Sequence, residues 1–214
     1  MTMLLVIGNR NYSSWSLRGW LALKHSGAPF EELVIPLSQP RTAEEIRRHS
    51  PSGRVPVLKD GEHVVWDSLA IGEYLAERYP DARLWPVDSG ARAMARSACA
   101  EMHSGFQSLR ANLPMNIRLR RAKPLTPEVQ GDIARIVELW TACRARYGQG
   151  GPFLFGHFTL ADVFYTPVAS RFVTYEVPLQ GAAQEYVATV LATPAMQEWI
   201  DLARKEPWTE PQYD

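Results

Sequence analysis

Between Leu4 and Pro36 the chain fits an apolar run, a helical pattern and a second apolar run, and that short spacing limits how it can fold. The first run, Leu4-Leu5-Val6-Ile7 closed by Gly8, reads as a buried strand over residues 3–8. A helix follows from about Ser16 to His25, with Leu17, Trp20 and Leu21 on one face and Gly27 as its stop. Phe30 to Pro36 reads as a second strand. A strand, a helix and a strand in so few residues fit a parallel βαβ unit with a right-handed crossover.

Residues 42–49 predict a short polar helix in which Thr42 and Glu45 have capping-box spacing. Beyond the turn Ser50-Pro51-Ser52-Gly53, the runs 54–59 and 62–66 are separated by Asp60-Gly61. That hairpin signal adds two antiparallel strands. Asp67-Ser68 opens a helix through Ile71, Leu75 and Tyr79, stopped by Pro80. Residues 1–80 therefore read βαβ-α-ββα, and 81–90, with Pro86, Asp88 and Gly90, read as a linker. Residues 91–214 read as all-helical, so the fold class is α/β followed by all-α. One long helix is expected from Ala91 to Leu113 and a second from Val129 to Tyr147, entered by Thr126-Pro127 and closed by Gly148. Another starts at Thr159, and weaker patterns cover 182–191 and 194–203, the last entered by an N-cap Thr193 and Pro194. The tail, Pro207 to Asp214, is expected to be irregular and to pack through Trp208.

A chain of 214 residues suffices for one large domain or two small ones. Lys plus Arg and Asp plus Glu both total 23, which argues against an electrostatic nucleic-acid binder. The cluster Arg118, Arg120, Arg121 and Lys123 reads as a solvated helix end. The N-terminus lacks a basic segment before a long apolar core, and no window approaches a membrane span. No membrane partner is therefore expected, and the location reads as cytoplasmic. Cys99 and Cys143 fall inside helical patterns without CxxC neighbours and read as buried small hydrophobes. The five histidines contain no HExxH-type pair, so no metal is expected.

The chemistry concentrates in the loop Asn11-Tyr12-Ser13-Ser14-Trp15-Ser16-Leu17-Arg18, between the first strand and the first helix. Unpaired N–H groups of a first helical turn, with the helix dipole behind them, stabilise an anion such as a thiolate. A serine there serves equally well as a plain N-cap. Arg54-Val55-Pro56 opens a strand, where proline is an edge or bulge feature. X-Pro bonds in general favour trans, whereas a cis Val55–Pro56 bond would turn the Val55 backbone toward an edge where a peptide could pair. Asp67-Ser68 reads either as an N-cap or as a seat for a ligand carboxylate with Asp67 facing an ammonium.

With these residues in this order, the chain resembles the cytosolic glutathione transferases over nearly its whole length. The resemblance implies a thioredoxin-like N-terminal domain, a C-terminal helical-bundle domain and glutathione as co-substrate, with no metal. It also implies a cis Pro56, pairing of Val55 with the glutathione backbone, and a γ-glutamyl site at Asp67 and Ser68. Trp15, Arg54 and Gln107 complete the implied glutathione-binding positions. Ser13-Ser14-Trp15-Ser16-Leu17-Arg18 is most similar to the Ser-Ser-Cys-Ser-x-Arg segment of the zeta class, which includes maleylacetoacetate isomerases. Trp15 stands where that class has its cysteine.

A serine hydroxyl is far too weak an acid to act as a base at a thiol, so its role there is to donate. Register against Arg18 favours Ser14 if serine-type classes are the guide and Ser13 if the zeta segment is. Tyr12 is a third candidate donor, and Arg18 is expected to pair with a carboxylate of the fold. The acceptor pocket is expected between the domains, with Tyr12, His103, Phe106, Arg110, Met115 and Asn116 as candidates. Thr159 and Asp162 match the family's structural capping box, with Phe158 and Val163 as its staple. The expectation is thus a homodimeric glutathione S-transferase acting on a small electrophile. Alternatives are glutathione-dependent isomerisation of an unsaturated acid, or a non-catalytic ligand-binding or interaction member of the fold.

Overall fold

The computed structural model describes residues 2–214. Strand β1 (Met3–Ile7) leads into α1 (Ser14–Ser26), which returns the chain to β2 (Phe30–Val34), paired in parallel with β1 from Met3↔Phe30 to Ile7↔Val34. Helix α2 (Thr42–Arg47) precedes the hairpin of β3 (Val57–Asp60) and β4 (His63–Trp66). β3 runs antiparallel to both β1 and β4, giving a mixed sheet in the order β2-β1-β3-β4. Helix α3 (Ser68–Arg78) completes the βαβ-α-ββα thioredoxin-like arrangement.

A single 3₁₀ turn, Pro80–Ala82, leads on to α4 (Ser89–Ser104), α5 (Gln107–Asn112), α6 (Pro127–Tyr147), α7 (Leu160–Thr174), α8 (Gly181–Leu191) and α9 (Pro194–Lys205). Helix α1 is the hinge of the packing. Leu17, Trp20 and Leu21 are wholly buried, and the helix packs against both α3 and α7. Gly72 lets α7 come close to α3, since a Cβ there would meet Leu160 at 3.0 Å. Helix α7 is buried along almost its whole length. The opposite face of the sheet carries a small core of Val6, Ile35, Ile46 and Val57, covered by α2. Among the described residues, no helix is long and apolar enough to cross a membrane.

Several local expectations give way to stronger partners. Thr42 does not cap α2; its hydroxyl donates to Pro36 O at 2.6 Å and accepts from Gln39 N–H, while Glu45 pairs with Arg41 and Arg48. Asp60 is still in the ladder, opposite His63, so Gly61 and Glu62 form the turn. The single helix expected from Ala91 to Leu113 is broken at Gly105 and Phe106, where Phe106 takes the left-handed region at φ 57°. Arg110 makes that break stable, because its guanidinium reaches back to the freed carbonyls of Met102, His103 and Gly105. Thr193 leads α9 without a side-chain cap, its hydroxyl donating instead to Val190 O.

The basic cluster is not a helix end, since residues 113–126 are irregular. Arg118 donates to the carbonyls of Glu206 and Trp208 and to the Tyr12 hydroxyl, and Arg121 to the carbonyl of Asp214. The tail is therefore pinned by these bonds, with Glu206 and Glu210 buried at its base. The capping box at Thr159 and Asp162 is present, with Thr159 N–H donating to Asp162 at 2.8 Å. Burial pushes the Asp162 carboxyl up to about 6 against hydrogen bonds from Leu154, Thr159 and Tyr186. Phe158 stacks on His25, with ring centroids 3.6 Å apart. Cys99 and Cys143 are buried free thiols.

Candidate active site

Two cavities meet at the N-terminus of α1, and Trp15 and His103 line both. The larger, about 740 Å³, runs along Ser13, Arg54, Val55, Pro56, Trp66, Asp67 and Ser68. The smaller, about 320 Å³, is lined by Tyr12, Ser14, Gln107, Arg110, Met115, Arg171 and Tyr213.

The wall of the larger cavity is built by the sheet edge and the start of α3. The Val55–Pro56 bond is cis, and Val55 precedes the first ladder pair, Val57↔Trp66, so its backbone lies outside the sheet ladder. Gly19 of α1 leaves room for the Pro56 ring, since a Cβ there would meet it at 3.1 Å. Asp67 sits at φ 76° and caps α3 by accepting from Leu69 N–H at 2.7 Å. Its other carboxylate oxygen lies 3.2 Å from His103 Nε2. The Ser68 hydroxyl is buried and has no protein partner, although it lines the cavity. A buried hydroxyl without a partner at a helix start is a seat for an acceptor group such as a carboxylate.

The two serines of the loop are separated by their partners. Ser13 is the N-cap of α1: its oxygen accepts from Ser16 N–H at 3.3 Å, and its hydroxyl donates to Ser16 Oγ at 2.8 Å. Ser16 in turn accepts from Gly8 N–H. Helix α1 begins at Ser14, two residues earlier than the pattern of apolar residues indicates, because this hydroxyl pair closes the first turn. Ser14 Oγ accepts from Arg171 Nη2 at 3.2 Å, and its own proton is committed to no protein acceptor.

Arg18, Arg110 and Arg171 surround this point, and none has a carboxylate within salt-bridge distance among the described residues. Arg18 corrects the expectation of an ion pair. It is wholly buried, its three nitrogens lack hydrogen-bond partners, and it lies between the faces of Trp15 and Phe164 at 4.6 and 4.7 Å. Two aromatic faces supply what a carboxylate would have supplied. Burial, then the charges of Arg110 and Arg171, lower its pKa well below the ordinary value. Burial, followed by Arg110, likewise lowers Arg171 to about 9. Arg110 and Arg171 line the smaller cavity with no carboxylate partner among the described residues, so that cavity suits anions.

Several candidate residues stand apart. Phe106 is buried in the core and lines neither cavity, and Asn116 bonds to Asn11 and to the tail at Tyr213 and Asp214. Gln107 lines the smaller cavity, with its amide donating to Ser104 O. The Tyr12 hydroxyl is spent on the tail, donating to Asp214 and accepting from Glu210 N–H and Arg118. Arg171 and Tyr213 were not foreseen. Arg171 has the spacing of a buried helix face in α7, and only its charge among apolar neighbours could have singled it out.

Comparison with known proteins bears on the family and the fold. The model of the glutathione S-transferase N-terminal domain matches residues 12–78, and that of the C-terminal domain matches residues 126–202. A zeta-class glutathione S-transferase of Euphorbia esula is 31% identical over 166 residues, covering 76% of this chain and 73% of its own. A probable maleylacetoacetate isomerase of Caenorhabditis elegans is 35% identical over 100 residues, 47% of this chain and 46% of its own. Among solved structures, a glutathione transferase homolog from Burkholderia with bound glutathione is similar at a TM-score of 0.72 and 24% identity. That match covers 96% of this chain and all of the other.

Proposed function

The chain belongs to the glutathione S-transferase family, and we propose on that basis that it ionises the thiol of glutathione against the Ser14 hydroxyl and delivers the thiolate to a small electrophile. In this reading residues 1–80 hold glutathione, 91–214 supply the acceptor cavity, and 81–90 join them; the protein works in the cytoplasm as a homodimer. One observation carries the serine assignment. The Ser14 hydroxyl faces the smaller cavity with its proton uncommitted, whereas that of Ser13 is consumed within the first turn of α1.

Glutathione lies in the larger cavity, its γ-glutamyl carboxylate on Ser68 and the start of α3, its ammonium on Asp67, and its backbone against Val55. Arg54 and Trp15 border it, and the thiol reaches Ser14 where the cavities meet. A free thiol has a pKa of about 8.5, so little is ionised at neutral pH. The thiol proton passes to water, and Ser14 shares its own proton with the sulfur without losing it. Lowering the thiol by roughly two units needs about 2.7 kcal/mol, within the reach of one charge-assisted hydrogen bond and a helix N-terminus. The acceptor occupies the smaller cavity.

Arg110 and Arg171 on that cavity favour an acidic acceptor, which supports a second reading, glutathione-dependent isomerisation of an unsaturated acid. Trp15 in the place of a cysteine weighs against it. The test is titration calorimetry with glutathione together with the ultraviolet thiolate band of the complex, followed by turnover of chlorodinitrobenzene, maleylacetone and a hydroperoxide. Binding with a thiolate band near neutral pH, lost in Ser14→Ala, is expected. Absence of binding at millimolar glutathione would leave only a ligand-binding or interaction role.

A further inference from the structure

Arg171 belongs to the helical half of the molecule, 157 residues from the serine it touches, and it is buried with 4% exposure. Its three nitrogens are used differently. Nε donates to Leu113 O at 2.9 Å, Nη2 donates to Ser14 Oγ at 3.2 Å, and Nη1 is buried without a partner. No carboxylate neutralises it among the described residues; the charged and titratable groups in its field are Arg110 of α5, Arg18 of α1 and Tyr175 just beyond α7. Burying a cation without a counter-ion is costly, and the cost points to a use at the Ser14 hydroxyl.

We propose that Arg171 is the positioning residue of the thiol site: by donating to Ser14 Oγ it directs the serine proton toward the sulfur and strengthens Ser14 as a donor to the thiolate. Geometry sets the direction. A hydroxyl that accepts from a guanidinium has its lone pair occupied on that side, and its O–H turns away toward the remaining acceptor. A hydroxyl accepting a charge-assisted bond is also the more polarised donor, since hydrogen bonds in series reinforce each other. Arg171 does not itself touch the sulfur, and it acts through Ser14. The thiol proton leaves to water, so no further base or co-reactant is required. Because Arg171 lies on α7 and Ser14 at the head of α1, ionisation of the thiol depends on the helical half being docked against the sheet half.

The proposal rests on the glutathione reading, and the experiment separates the two. The ultraviolet thiolate absorbance of bound glutathione is titrated in the wild type, Arg171→Met, Arg171→Lys, Ser14→Ala and the Ser14→Ala/Arg171→Met double variant. Affinity for S-methylglutathione, which has no thiol to ionise, is measured alongside. Arg171→Met is expected to raise the pKa of the bound thiol by about one unit, a tenfold fall in the thiolate-to-thiol ratio and about a threefold loss of thiolate at neutral pH. S-methylglutathione affinity should stay within about twofold. Arg171→Lys should recover part of the shift, and Arg171→Met should add nothing in the Ser14→Ala background.

A wild-type band with an unchanged titration in folded Arg171→Met overturns the proposal alone. So does a fall in S-methylglutathione affinity as large as the fall in thiolate, because it assigns Arg171 to the framework of the cleft. A wild type without any band overturns the glutathione reading and this inference with it. If Arg171→Met does not fold, Arg171→Lys decides: a titration at or only slightly above the wild type, with Ser14→Ala shifted further, supports the proposal, and a shift as large as that of Ser14→Ala overturns it.

Discussion

His103 Nε2 lies 3.2 Å from a carboxylate oxygen of Asp67, tying the last turn of α4 to the cap of α3 across the larger cavity. Burial, helped by Arg18 and Arg110, lowers the His103 pKa below 6.5 although Asp67 pulls it up. At neutral pH the ring is therefore neutral and the Asp67 charge is free for a ligand ammonium. As pH falls through that depressed pKa, the imidazolium forms beside Asp67 and competes with the ammonium. Glutathione affinity should fall in acid in the wild type, and calorimetry should show a flatter acid limb in His103→Gln. Asp67→Asn keeps the Leu69 cap but loses the charge, and should weaken glutathione about tenfold at neutral pH, roughly 1.4 kcal/mol. Identical acid limbs in wild type and His103→Gln would remove His103 from the account.

The titration of the bound thiol should separate Ser13 from Ser14. Ser13→Ala removes the N-cap of α1 and the bond to Ser16, at a cost of about 1 kcal/mol, roughly 2–4 °C in Tm for a chain of this size. It should leave the titration of the bound thiol in place. Ser14→Ala removes a hydroxyl outside the cap but leaves Nη2 of the buried Arg171 without its acceptor, so it should lower Tm by at least as much while raising the thiol pKa by about one to two units. Thermal melts and thiolate titrations on the same two preparations check both halves. A shift of the thiol pKa in Ser13→Ala alone would reverse the assignment.

Arg110 carries a structural duty besides lining the smaller cavity. Its donors close the end of α4 at Met102, His103 and Gly105, where the helix path breaks before α5. Arg110→Met leaves those partly buried carbonyls without that partner and should destabilise the fold by about 2 kcal/mol, seen as a Tm lower by roughly 4–8 °C. A variant that melts with the wild type would show that water replaces the guanidinium there.

The sheet half was legible because its elements are local. Apolar runs, Asp-Gly and the capping residue Asp67 each act within a few residues, and β1, β2 and α3 lie where those signals put them, while α1 starts two residues earlier. The break at Gly105 was not legible, because the apolar spacing continues unbroken through Phe106 while the bonds that stabilise the kink come from Arg110, one turn beyond it. In the site, the loop serines, Asp67 and Ser68 were marked by their helix starts. The proposed preference for Ser14 over Ser13 draws on Arg171, and the fate of Tyr12 needed the tail, both contacts across more than 150 residues. Arg18 misled for a chemical reason: its partners are aromatic faces, and these have no sequence signature comparable to a paired carboxylate.

His25 makes the acid stability of the fold testable at one residue. Its ring lies flat on Phe158, 3.6 Å between centroids at 14°, and joins the end of α1 to the entry of α7. Burial lowers its pKa from 6.5 to about 4, and Nε2 is buried without a partner. The unfolded chain therefore takes up this proton near pH 6.5 and the folded chain only near pH 4. The stability that depends on the neutral ring is complete above pH 6.5 and is lost as pH falls toward 4, by on the order of 3 kcal/mol in all. His25→Phe keeps an aromatic plane against Phe158 and removes the proton. Urea denaturation at pH 7 and pH 4.5 should find the variant within about 1 kcal/mol of the wild type at the higher pH and clearly more stable at the lower. Equal losses in both proteins would place the acid sensitivity on another group and leave the stack as a packing contact alone.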